Sequence, residues 1–275
     1  MGAASLASVD GQIVPAEQAT ISILDDGLLR GDGAFEVIKL YASHPFRLDD
    51  HIARLRRSAA AIHLDFDEQA LRAEIGALLD EGGEPDGCLR IVITRGGRRL
   101  LTVESVPDWA DSARVALVTL TPNEILAGVK SISYAANMHA TRMAAGRGAD
   151  EAVYVSADGI VLEAPTSSVF WTGSDGRLRT PGLEVGILDS ITRAVVIAAL
   201  DVEEGSFPKR DLIDARAAFL ASTTREIQPI STVDGKALFE LGGEHSQAAT
   251  TALREAIESE RLAAGEGGRA DPSGG

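Results

Sequence analysis

The sequence predicts an α+β fold built from two lobes. Strand-like and helix-like patterns follow one another in irregular order, unlike the regular alternation that gives a doubly wound parallel sheet. The 275 residues, 45% of them hydrophobic, suffice for one large core or two modest ones. A segment containing proline, asparagine and glycine separates two patterned regions. We therefore expect an N-terminal α+β domain at 1–120, an interdomain linker at 121–128, a C-terminal α+β domain at 129–263 and a disordered tail at 264–275.

The first lobe begins with a turn signal, Asp10-Gly11, which predicts a hairpin, and an extended run follows at 36–41. Apolar residues then recur at helical spacing over 52–62, and Asp49 or Asp50 is the predicted N-cap of that helix. The other predicted elements of this lobe are a helix from about residue 67 and strands at 89–94 and 114–120.

The second lobe shows the same mixture of periodicities. A hairpin is predicted from two strand-like runs, 151–156 and 160–163, with Asp158-Gly159 as the turn between them. The other predicted elements are a helix over 134–145, a helix that begins near 189–190, a strand at 217–222 and a final helix over 245–263.

Composition excludes several classes of partner. A formal net charge of -15 repels nucleic acid and anionic lipid, so an anionic ligand needs locally placed basic groups. No stretch approaches the roughly 18 apolar residues of a membrane span, and the N-terminus lacks a signal-like pattern, so we expect a cytoplasmic protein. The single cysteine, Cys88, cannot form an intramolecular disulfide. His51, His63 and His139 lack the spacing of metal ligands, so no metal site is expected.

Three segments offer parts of an anion pocket. Ser190-Ile191-Thr192 begins a predicted helix, whose first N–H groups are free to bind an anion. Ser222-Thr223-Thr224 follows a strand and supplies hydroxyl groups, and Arg54 on a helix supplies a bidentate cation. Taken singly, each also fits an ordinary helix cap or a solvated arginine.

Two residues could carry covalent and acid–base chemistry. Lys130 lies just after the predicted linker among small and apolar residues, and partial burial there lowers the pKa of an amine and favours imine formation. Glu163 ends the predicted hairpin, and a carboxylate that faces a pyridine nitrogen keeps that nitrogen protonated. Without a cofactor, Lys130 also fits a surface lysine in a loop, and Glu163 also fits an ordinary acid at the end of a strand.

Six segments in chain order resemble motifs of the fold type IV pyridoxal-phosphate enzymes, the class IV aminotransferase family. The resemblance extends from about Val9 to Val233. The segments are RGDGAFE at 30–36, HIARL at 51–55, GVKSISYAAN at 128–137, VLEAPTSS at 161–168, SITR at 190–193 and STTREI at 222–227. Lys130 falls at the position of the family's Schiff-base lysine, and Glu163 falls at the position of the family's glutamate motif. The two residues are 33 apart (163 minus 130), which is close to the family's separation.

The resemblance implies a cofactor, a fold and a set of roles. The fold is the two-domain, D-amino acid aminotransferase-like fold of type IV enzymes, with a barrel-like C-terminal domain, in a homodimer. Lys130 would tether pyridoxal 5′-phosphate and move a proton between the substrate α-carbon and the cofactor. Glu163 would bind the pyridine nitrogen, and Leu188 would pack beneath the ring. The residues implied to hold the phosphate are Arg54, Ile191, Thr192, Thr223 and Thr224.

Departures from the family's patterns bear on the substrate. Branched-chain enzymes usually have tyrosine five residues after the lysine, whereas this chain has Ala135 there and Tyr134 one position earlier. That difference favours the D-amino acid aminotransferase and lyase groups, although Phe35 stands where the former often have tyrosine. Arg95 resembles an arginine that binds the substrate carboxylate, and Arg30, before the glycine turn, resembles a position that carries arginine in some members. We expect both arginines to bind the substrate together with Phe35. Arg95 also fits a solvated residue of a basic loop.

The resemblance leaves three functions to compare. The leading prediction is transamination between a D-amino acid, such as D-alanine or D-glutamate, and a 2-oxo acid, such as 2-oxoglutarate or pyruvate. The first alternative is a lyase that converts aminodeoxychorismate to 4-aminobenzoate and pyruvate, and a branched-chain L-amino acid aminotransferase comes after it. A non-catalytic paralogue would have no chemical need for Lys130.

Overall fold

The computed structural model describes residues 6–82 and 86–267, with side chains through residue 264. Within these ranges helices and two separate sheets are mixed along the chain, which confirms the predicted α+β class. The predicted tail at 264–275 is helical as far as residue 267, and residues 268–275 lie outside the described residues. None of the helices in the described ranges is both long enough and apolar enough to cross a membrane.

The first sheet contains six antiparallel strands in the order β2-β1-β6-β5-β3-β4. The strands are β1 (Leu6–Val9), β2 (Gln12–Pro15), β3 (Gly33–Tyr41), β4 (His44–Pro45), β5 (Asp86–Thr94) and β6 (Arg99–Glu104). Three helices accompany this sheet: α1 (Asp26–Arg30), α2 (Leu48–Ala61) and α3 (Glu68–Gly82). The predicted strand at 89–94 is confirmed within β5, whereas β6 was not predicted, because its flanking arginines are typical of a solvated loop.

Alternation of side chains gives the first sheet two different faces. One face carries buried apolar residues of β3 and β5, such as Ile38 and Ile91, and packs against the apolar stripes of α2 and α3. The opposite face carries Phe35, Val37 and Val92, which line a cavity. The sheet therefore separates a core on one side from an open pocket on the other.

Helix α2 begins at Leu48, one residue before the predicted capping positions. Its N-cap is Arg47, in the left-handed region with φ 56° and without a side-chain capping hydrogen bond. The prediction that Asp49 or Asp50 caps the helix is therefore wrong. Both acids lie in the first turn, where a carboxylate still interacts favourably with the helix dipole.

The second sheet has the order β11-β10-β9-β12-β13-β7-β8, with β14 paired to β13. Its strands are β7 (Ala113–Thr119), β8 (Glu151–Val155), β9 (Ser168–Thr172), β10 (Leu178–Pro181), β11 (Val202–Gly205), β12 (Ala217–Ser222), β13 (Glu226–Val233) and β14 (Lys236–Ala237). The helices of this lobe are α4 (Ala135–Ala145), α5 (Ile191–Ala199), α6 (Lys209–Ile213) and α7 (Gly243–Gly267). The predicted strand at 217–222 and the helix over 134–145 are confirmed.

The predicted hairpin at 151–163 is present only in part, because its first strand is β8 while residues 160 and 161 form isolated bridges instead of a second strand. Residues 160–163 bond to β8 on one side, through Tyr154 and Leu162, and the N–H of Val161 donates to the carbonyl of Phe207 on the other. Segment 160–163 therefore brings the β8 edge close to the chain that follows β11.

Strand β7 differs from the predicted division of the chain. It pairs in parallel with β8 and β13 and thus belongs to the second sheet, although the predicted boundary assigns it to the domain at 1–120. The chain therefore crosses between the sheets at 105–112, before the predicted linker at 121–128. A polar cluster joins the sheets elsewhere, because Glu226 accepts hydrogen bonds from Lys39 and Tyr41.

Candidate active site

A cavity of about 510 Å³ lies between the two sheets, and side chains of both lobes line it. Seven of the residues singled out in the sequence are among its walls, although they come from separate parts of the chain. These are Phe35, Arg54, Lys130, Glu163, Leu188, Thr223 and Thr224. Size, enclosure and a few convergent polar groups are the properties expected of a site for a small molecule.

Backbone contacts with the first lobe position Lys130. Its carbonyl accepts from the N–H of Phe35 at 3.0 Å, and its own N–H donates to Ser58 Oγ of α2 at 3.1 Å. Two residues later, the N–H of Ile132 donates to the carbonyl of Gly33 at 3.0 Å. A Cβ atom on Gly33 would lie 2.3 Å from the carbonyl oxygen of Ile93, so only glycine allows this close approach.

Burial prepares the Lys130 amine for nucleophilic chemistry. Its Nζ lies 4.4 Å from the centre of the Phe35 ring. Burial, followed by the nearby charge of Arg54, lowers the pKa of Lys130 to about 8. At pH 7 roughly a tenth of the amine is then neutral, far more than for an ordinary lysine, and the neutral amine is the form that attacks a carbonyl carbon.

Glu163 is the acidic group of the cavity. The N–H of Leu188 donates to both carboxylate oxygens, at 3.2 Å each. Burial raises the pKa of Glu163 to about 7, against the opposing effects of that hydrogen bond and of Lys130. A cationic ring nitrogen placed beside this carboxylate would stabilise its charged form.

Arg54 is buried and has unused hydrogen-bonding capacity. It donates through Nε and Nη2 to Glu36, at 2.8 and 2.6 Å, and through Nη1 to the carbonyl of Asp189 at 3.0 Å. A guanidinium has five N–H groups, so two remain for a ligand. Burial alone would raise the pKa of Glu36, but Arg54 and His51 lower it to about 2, so this network holds a fixed charge.

Besides Arg54, two segments supply polar groups to the cavity wall. Ser190, the N-cap of α5, lines the cavity and accepts from the N–H of Arg193 at 3.3 Å. The side chains of Ile191 and Thr192 are not among the cavity walls, so these two predicted residues can contribute through the N–H groups of the first helical turn. Thr223 and Thr224 lie in the turn after β12, where both line the cavity.

The cavity fits a phosphorylated aldehyde of the pyridoxal type. The hydroxyl oxygens of Ser167 and Ser168 are buried in its wall without a hydrogen-bond partner in the described part of the chain. Buried polar atoms are normally satisfied, so these atoms call for a polar ligand. Arg54 and the threonine turn suit a phosphate, Glu163 a protonated ring nitrogen and Lys130 an aldehyde.

The two arginines predicted to bind substrate lie elsewhere, and neither lines the cavity of this chain. Arg30 is exposed and pairs with Asp26 in its own helix. Arg95 donates to both carboxylate oxygens of Asp32, at 2.9 and 3.1 Å, and to the carbonyl of Ile62 at 2.6 Å. Arg95 is therefore neither in the cavity nor merely solvated, because it secures the glycine turn.

Arg90 lines the cavity and was missed in the sequence. It lies opposite Val37 in the sheet, as Val92 lies opposite Phe35, so these four side chains share one face. Arg90 donates to both oxygens of Glu104, at 2.7 and 2.9 Å. Strand alternation along β5 was the available signal, since a cation two residues before Val92 must face the same way.

Tyr134 stands one position before the tyrosine of branched-chain enzymes, and its hydroxyl is used within the protein. Its hydroxyl donates to the carbonyl of Pro165 at 2.5 Å, and Asn137 Nδ2 donates to the same oxygen at 2.8 Å. Burial raises the pKa of Tyr134 to about 12. Both residues thus secure the loop that follows Glu163.

Trp109 and Pro107 also line the cavity. They belong to the segment that crosses between the sheets, and its sequence has no recognisable pattern that would have indicated them.

A half-buried lysine, a half-buried carboxylate and hydroxyl-bearing turns share one cleft. This arrangement fits an enzyme that binds a phosphorylated aldehyde through lysine. The family described as Amino-transferase class IV matches residues 33–233. The chain belongs to this family, and it is a pyridoxal-phosphate-dependent aminotransferase.

Two curated relatives carry different names. D-alanine aminotransferase of Bacillus licheniformis is 30% identical, over 91% of this chain and 96% of that protein. Aminodeoxychorismate lyase of Bacillus subtilis is 27% identical, over 82% of this chain and 86% of that protein. The family is thereby shared by a transaminase and a lyase.

Two solved structures are similar across nearly the whole chain. A fold IV transaminase from Curtobacterium pusillum has a TM-score of 0.77 and 30% identity, covering 88% of this chain and 96% of that one. A branched-chain aminotransferase from Thermoproteus uzoniensis has a TM-score of 0.82 and 29% identity, covering 94% and 96%. The fold is therefore that of the fold type IV enzymes, as the motifs predicted.

Proposed function

We propose that this enzyme moves the amino group between a D-amino acid, such as D-alanine or D-glutamate, and a 2-oxo acid, such as pyruvate or 2-oxoglutarate. The observation that carries the proposal is the similarity to D-alanine aminotransferase over almost the full length of both chains. The contacts of Tyr134 support it, because the hydroxyl is engaged by Pro165 and Ala135 has no group to replace it. Ala135 therefore cannot make a branched-chain enzyme's tyrosine contact, and the hydroxyl proton of Tyr134 is already donated to Pro165.

The residues that the motifs single out have distinct roles in this proposal. When bound, the cofactor supplies a protonated aromatic ring that accepts the electron pair released at the substrate α-carbon. Lys130 holds the cofactor before substrate arrives and then carries the proton from the substrate α-carbon to C4′ of the cofactor. Glu163 would hold the ring nitrogen in its protonated form, and Leu188, which lines the same cavity, would supply an apolar contact to the ring. The residues assigned to the phosphate are Arg54, Thr223, Thr224 and the backbone of Ile191 and Thr192.

Arg90 is the group that we assign to the substrate carboxylate, in place of Arg30 and Arg95. Besides Arg54 and Lys130, which the cofactor engages, it is the cation among the described residues that line the cavity. Two of its N–H groups bind Glu104, and three of the five remain. Phe35 and Val37 lie on the same sheet face and give the substrate an apolar floor.

The test is a half-reaction that needs no second substrate. D-alanine, D-glutamate, L-leucine and L-glutamate are added separately to purified holoenzyme, and the cofactor's absorbance is followed as it takes up the amino group. Conversion by the D-amino acids alone is expected. Conversion by L-leucine would move the enzyme to the branched-chain group. Inertness towards all four would contradict transamination, and aminodeoxychorismate would then test the lyase reaction of the Bacillus subtilis relative.

A homodimer in the cytoplasm completes the proposal. Ile23 and Leu24 are each 76% exposed, and Leu28 and Leu29 of α1 are 58% and 57% exposed. Four large apolar side chains within seven residues are unusual for a surface that stays in water. They precede the glycine turn that borders the site, so a second copy of the chain is a suitable cover. The substrates are small molecules, and the net charge of -15 disfavours nucleic acid.

A further inference from the structure

The segment that crosses between the two sheets is attached to the turn that carries Thr223 and Thr224. Trp109, in this segment, donates from Nε1 to the carbonyl of Thr224 at 3.1 Å. Its ring also stacks on Arg225, whose guanidinium carbon lies 3.7 Å from the ring centre. Trp109 is 38% exposed and lines the cavity. One side chain therefore contacts both the carbonyl and the cation of the same turn.

Arg225 is buried, and both of its terminal guanidinium nitrogens are hydrogen-bonded. It donates from Nη2 to Glu151 at 2.5 Å and from Nη1 to Gln228 Oε1 at 2.6 Å. Gln228 in turn donates from Nε2 to the carbonyl of Ala110, next to Trp109, at 2.7 Å. Trp109 of the crossing segment thus makes two direct contacts with the threonine turn, one to Thr224 and one to Arg225. A third contact runs from Ala110 through Gln228 to Arg225.

Glu151 extends the connection to another wall of the cavity. Thr166, in the loop after Glu163, donates from Oγ1 to Glu151 Oε2 at 3.4 Å, and Thr141 of α4 donates to Oε1 at 3.0 Å. Both Glu151 and Arg225 are almost completely buried, with 2% and 3% of their side chains exposed. A buried pair of this kind offsets its desolvation only when its geometry is good and its remaining polar atoms are hydrogen-bonded.

We propose that Trp109, Arg225 and Glu151 form a relay that fixes the turn carrying Thr223 and Thr224 against the cofactor phosphate. Trp109 and Arg225 are positioning residues in this proposal, because the threonines and not the relay touch the phosphate. The inference rests on the proposed function only in assigning Thr223 and Thr224 to the phosphate.

The relay predicts an effect that depends on the phosphate group itself. A turn outside regular structure depends on contacts with other segments for its conformation. Without the stacked indole, the threonine hydroxyls are no longer held in the positions that bind the phosphate. Pyridoxal carries the same ring and aldehyde as the cofactor but no phosphate. Loss of the relay should weaken binding of pyridoxal phosphate and leave binding of pyridoxal nearly unchanged.

The experiment titrates the full-length chain with pyridoxal 5′-phosphate and, separately, with pyridoxal. For Trp109→Ala we expect the Kd of pyridoxal phosphate to rise about tenfold and that of pyridoxal less than about twofold. Trp109→Phe keeps a ring over Arg225 and should restore part of the difference. Phe239→Ala, at an 82% exposed residue outside the cavity, is the matched control. Equal weakening of both ligands would overturn the relay, since that is the result of general destabilisation.

Arg225→Lys tests the second member without leaving Glu151 unpaired. Lysine keeps the positive charge but lacks the planar group that stacks on Trp109 and bonds to two acceptors at once. The same selective loss of pyridoxal phosphate binding is expected. Unchanged binding of both ligands would show that the stack does not position the turn.

Thr224→Val separates failure of the relay from failure of the phosphate assignment. Valine removes the hydroxyl but retains the backbone carbonyl that Trp109 binds. If Thr224→Val weakens pyridoxal phosphate and Trp109→Ala does not, the relay alone is wrong. If neither substitution has an effect, the phosphate assignment of the turn is wrong as well.

Trp109 also gives a spectroscopic readout that needs no turnover. Trp171, the other tryptophan, is fully buried, so changes in quenching by acrylamide report on Trp109. Inorganic phosphate added to the cofactor-free chain should protect Trp109 from the quencher, and Thr224→Val should abolish that protection. Quenching that is insensitive to phosphate would contradict coupling between the turn and the indole.

Discussion

Lys130 and Glu163 show how one physical cause acts oppositely on two residues. Burial disfavours the charged form of each group, so it lowers the pKa of the amine to about 8 and raises the pKa of the carboxyl to about 7. Both groups can therefore change protonation near neutral pH. Ionisable residues with such shifts that line a cavity are typical of catalytic sites.

The lowered pKa of Lys130 predicts the pH dependence of cofactor attachment. Only the neutral amine attacks the aldehyde, so the rate constant should rise about tenfold per pH unit below about pH 8 and level off above it. The measurement is stopped-flow absorbance after mixing the cofactor-free chain with pyridoxal phosphate. A rate that continues to rise towards pH 10.5, the ordinary value for lysine, would show that the amine is not desolvated. Lys130→Ala should give no covalent attachment.

A second prediction at this scale concerns the charge of Glu163. Glu163→Gln keeps the size of the side chain and removes the charge that stabilises a protonated ring nitrogen. We expect the half-reaction with the preferred amino acid to slow by about 100-fold or more, while cofactor affinity changes little. Single-turnover absorbance measures the rate, and Glu124→Gln, at an exposed residue, is the control. A rate within about threefold of the parent would remove Glu163 from the chemistry.

At the scale of elements, helix α2 and strand β3 are joined by a buried charge network. Glu36 of β3 accepts from Arg54 and lies 2.8 Å from Nδ1 of His51, both on α2. Burial lowers the pKa of His51, which favours the neutral ring. The network therefore pairs one anion with one cation inside the first lobe, and it fixes the guanidinium that lines the cavity.

Glu36→Gln is expected to destabilise the fold strongly, because it leaves Arg54 buried without its anion. The expected loss is about 3–5 kcal/mol in the free energy of unfolding, measured by urea denaturation at one protein concentration. Asp49→Asn, which removes an exposed partner of Arg72, should cost less than about 1 kcal/mol. Similar losses for the two variants would contradict the network's importance.

The same network predicts how stability depends on acid. The pKa of Glu36 falls from 4.5 to about 2 on folding. Its contribution is therefore complete above about pH 4.5 and is lost as the pH falls towards about 2. Over that window the parent protein should lose its advantage over Glu36→Gln. An advantage that stays constant down to about pH 2 would show that the carboxylate does not titrate with folding.

The sequence allowed the helices and strands with strong periodicity to be predicted, together with the motif-bearing residues Lys130, Glu163 and Arg54. Trp109 could not be found in this way, because a loop's path depends on its contacts and has no periodicity. Arg95 was misassigned for a related reason. Its neighbours in the sequence suggested a free cation, whereas its partner Asp32 comes from a distant turn.

On the scale of the whole molecule, contacts away from the site hold the two lobes against each other. Phe46 of the first lobe packs with Leu253 and Ile257 of α7, so the C-terminal helix reaches across to the first sheet. Since the cavity has walls from both sheets, its dimensions depend on these contacts as well as on its own residues.

Assembly provides the last prediction, which concerns the exposed apolar residues of segment 23–29. If a second copy of the chain covers them, placing a charge there makes association costly, because a desolvated, unpaired carboxylate is unfavourable in an interface. The double variant Ile23→Glu and Leu28→Glu should therefore sediment as a monomer at concentrations where the parent is a dimer. Phe239→Glu, at a residue that is 82% exposed in another part of the surface, should leave the dimer intact. A parent that sediments as a monomer would refute the dimer, and a dimeric double variant would place the interface elsewhere.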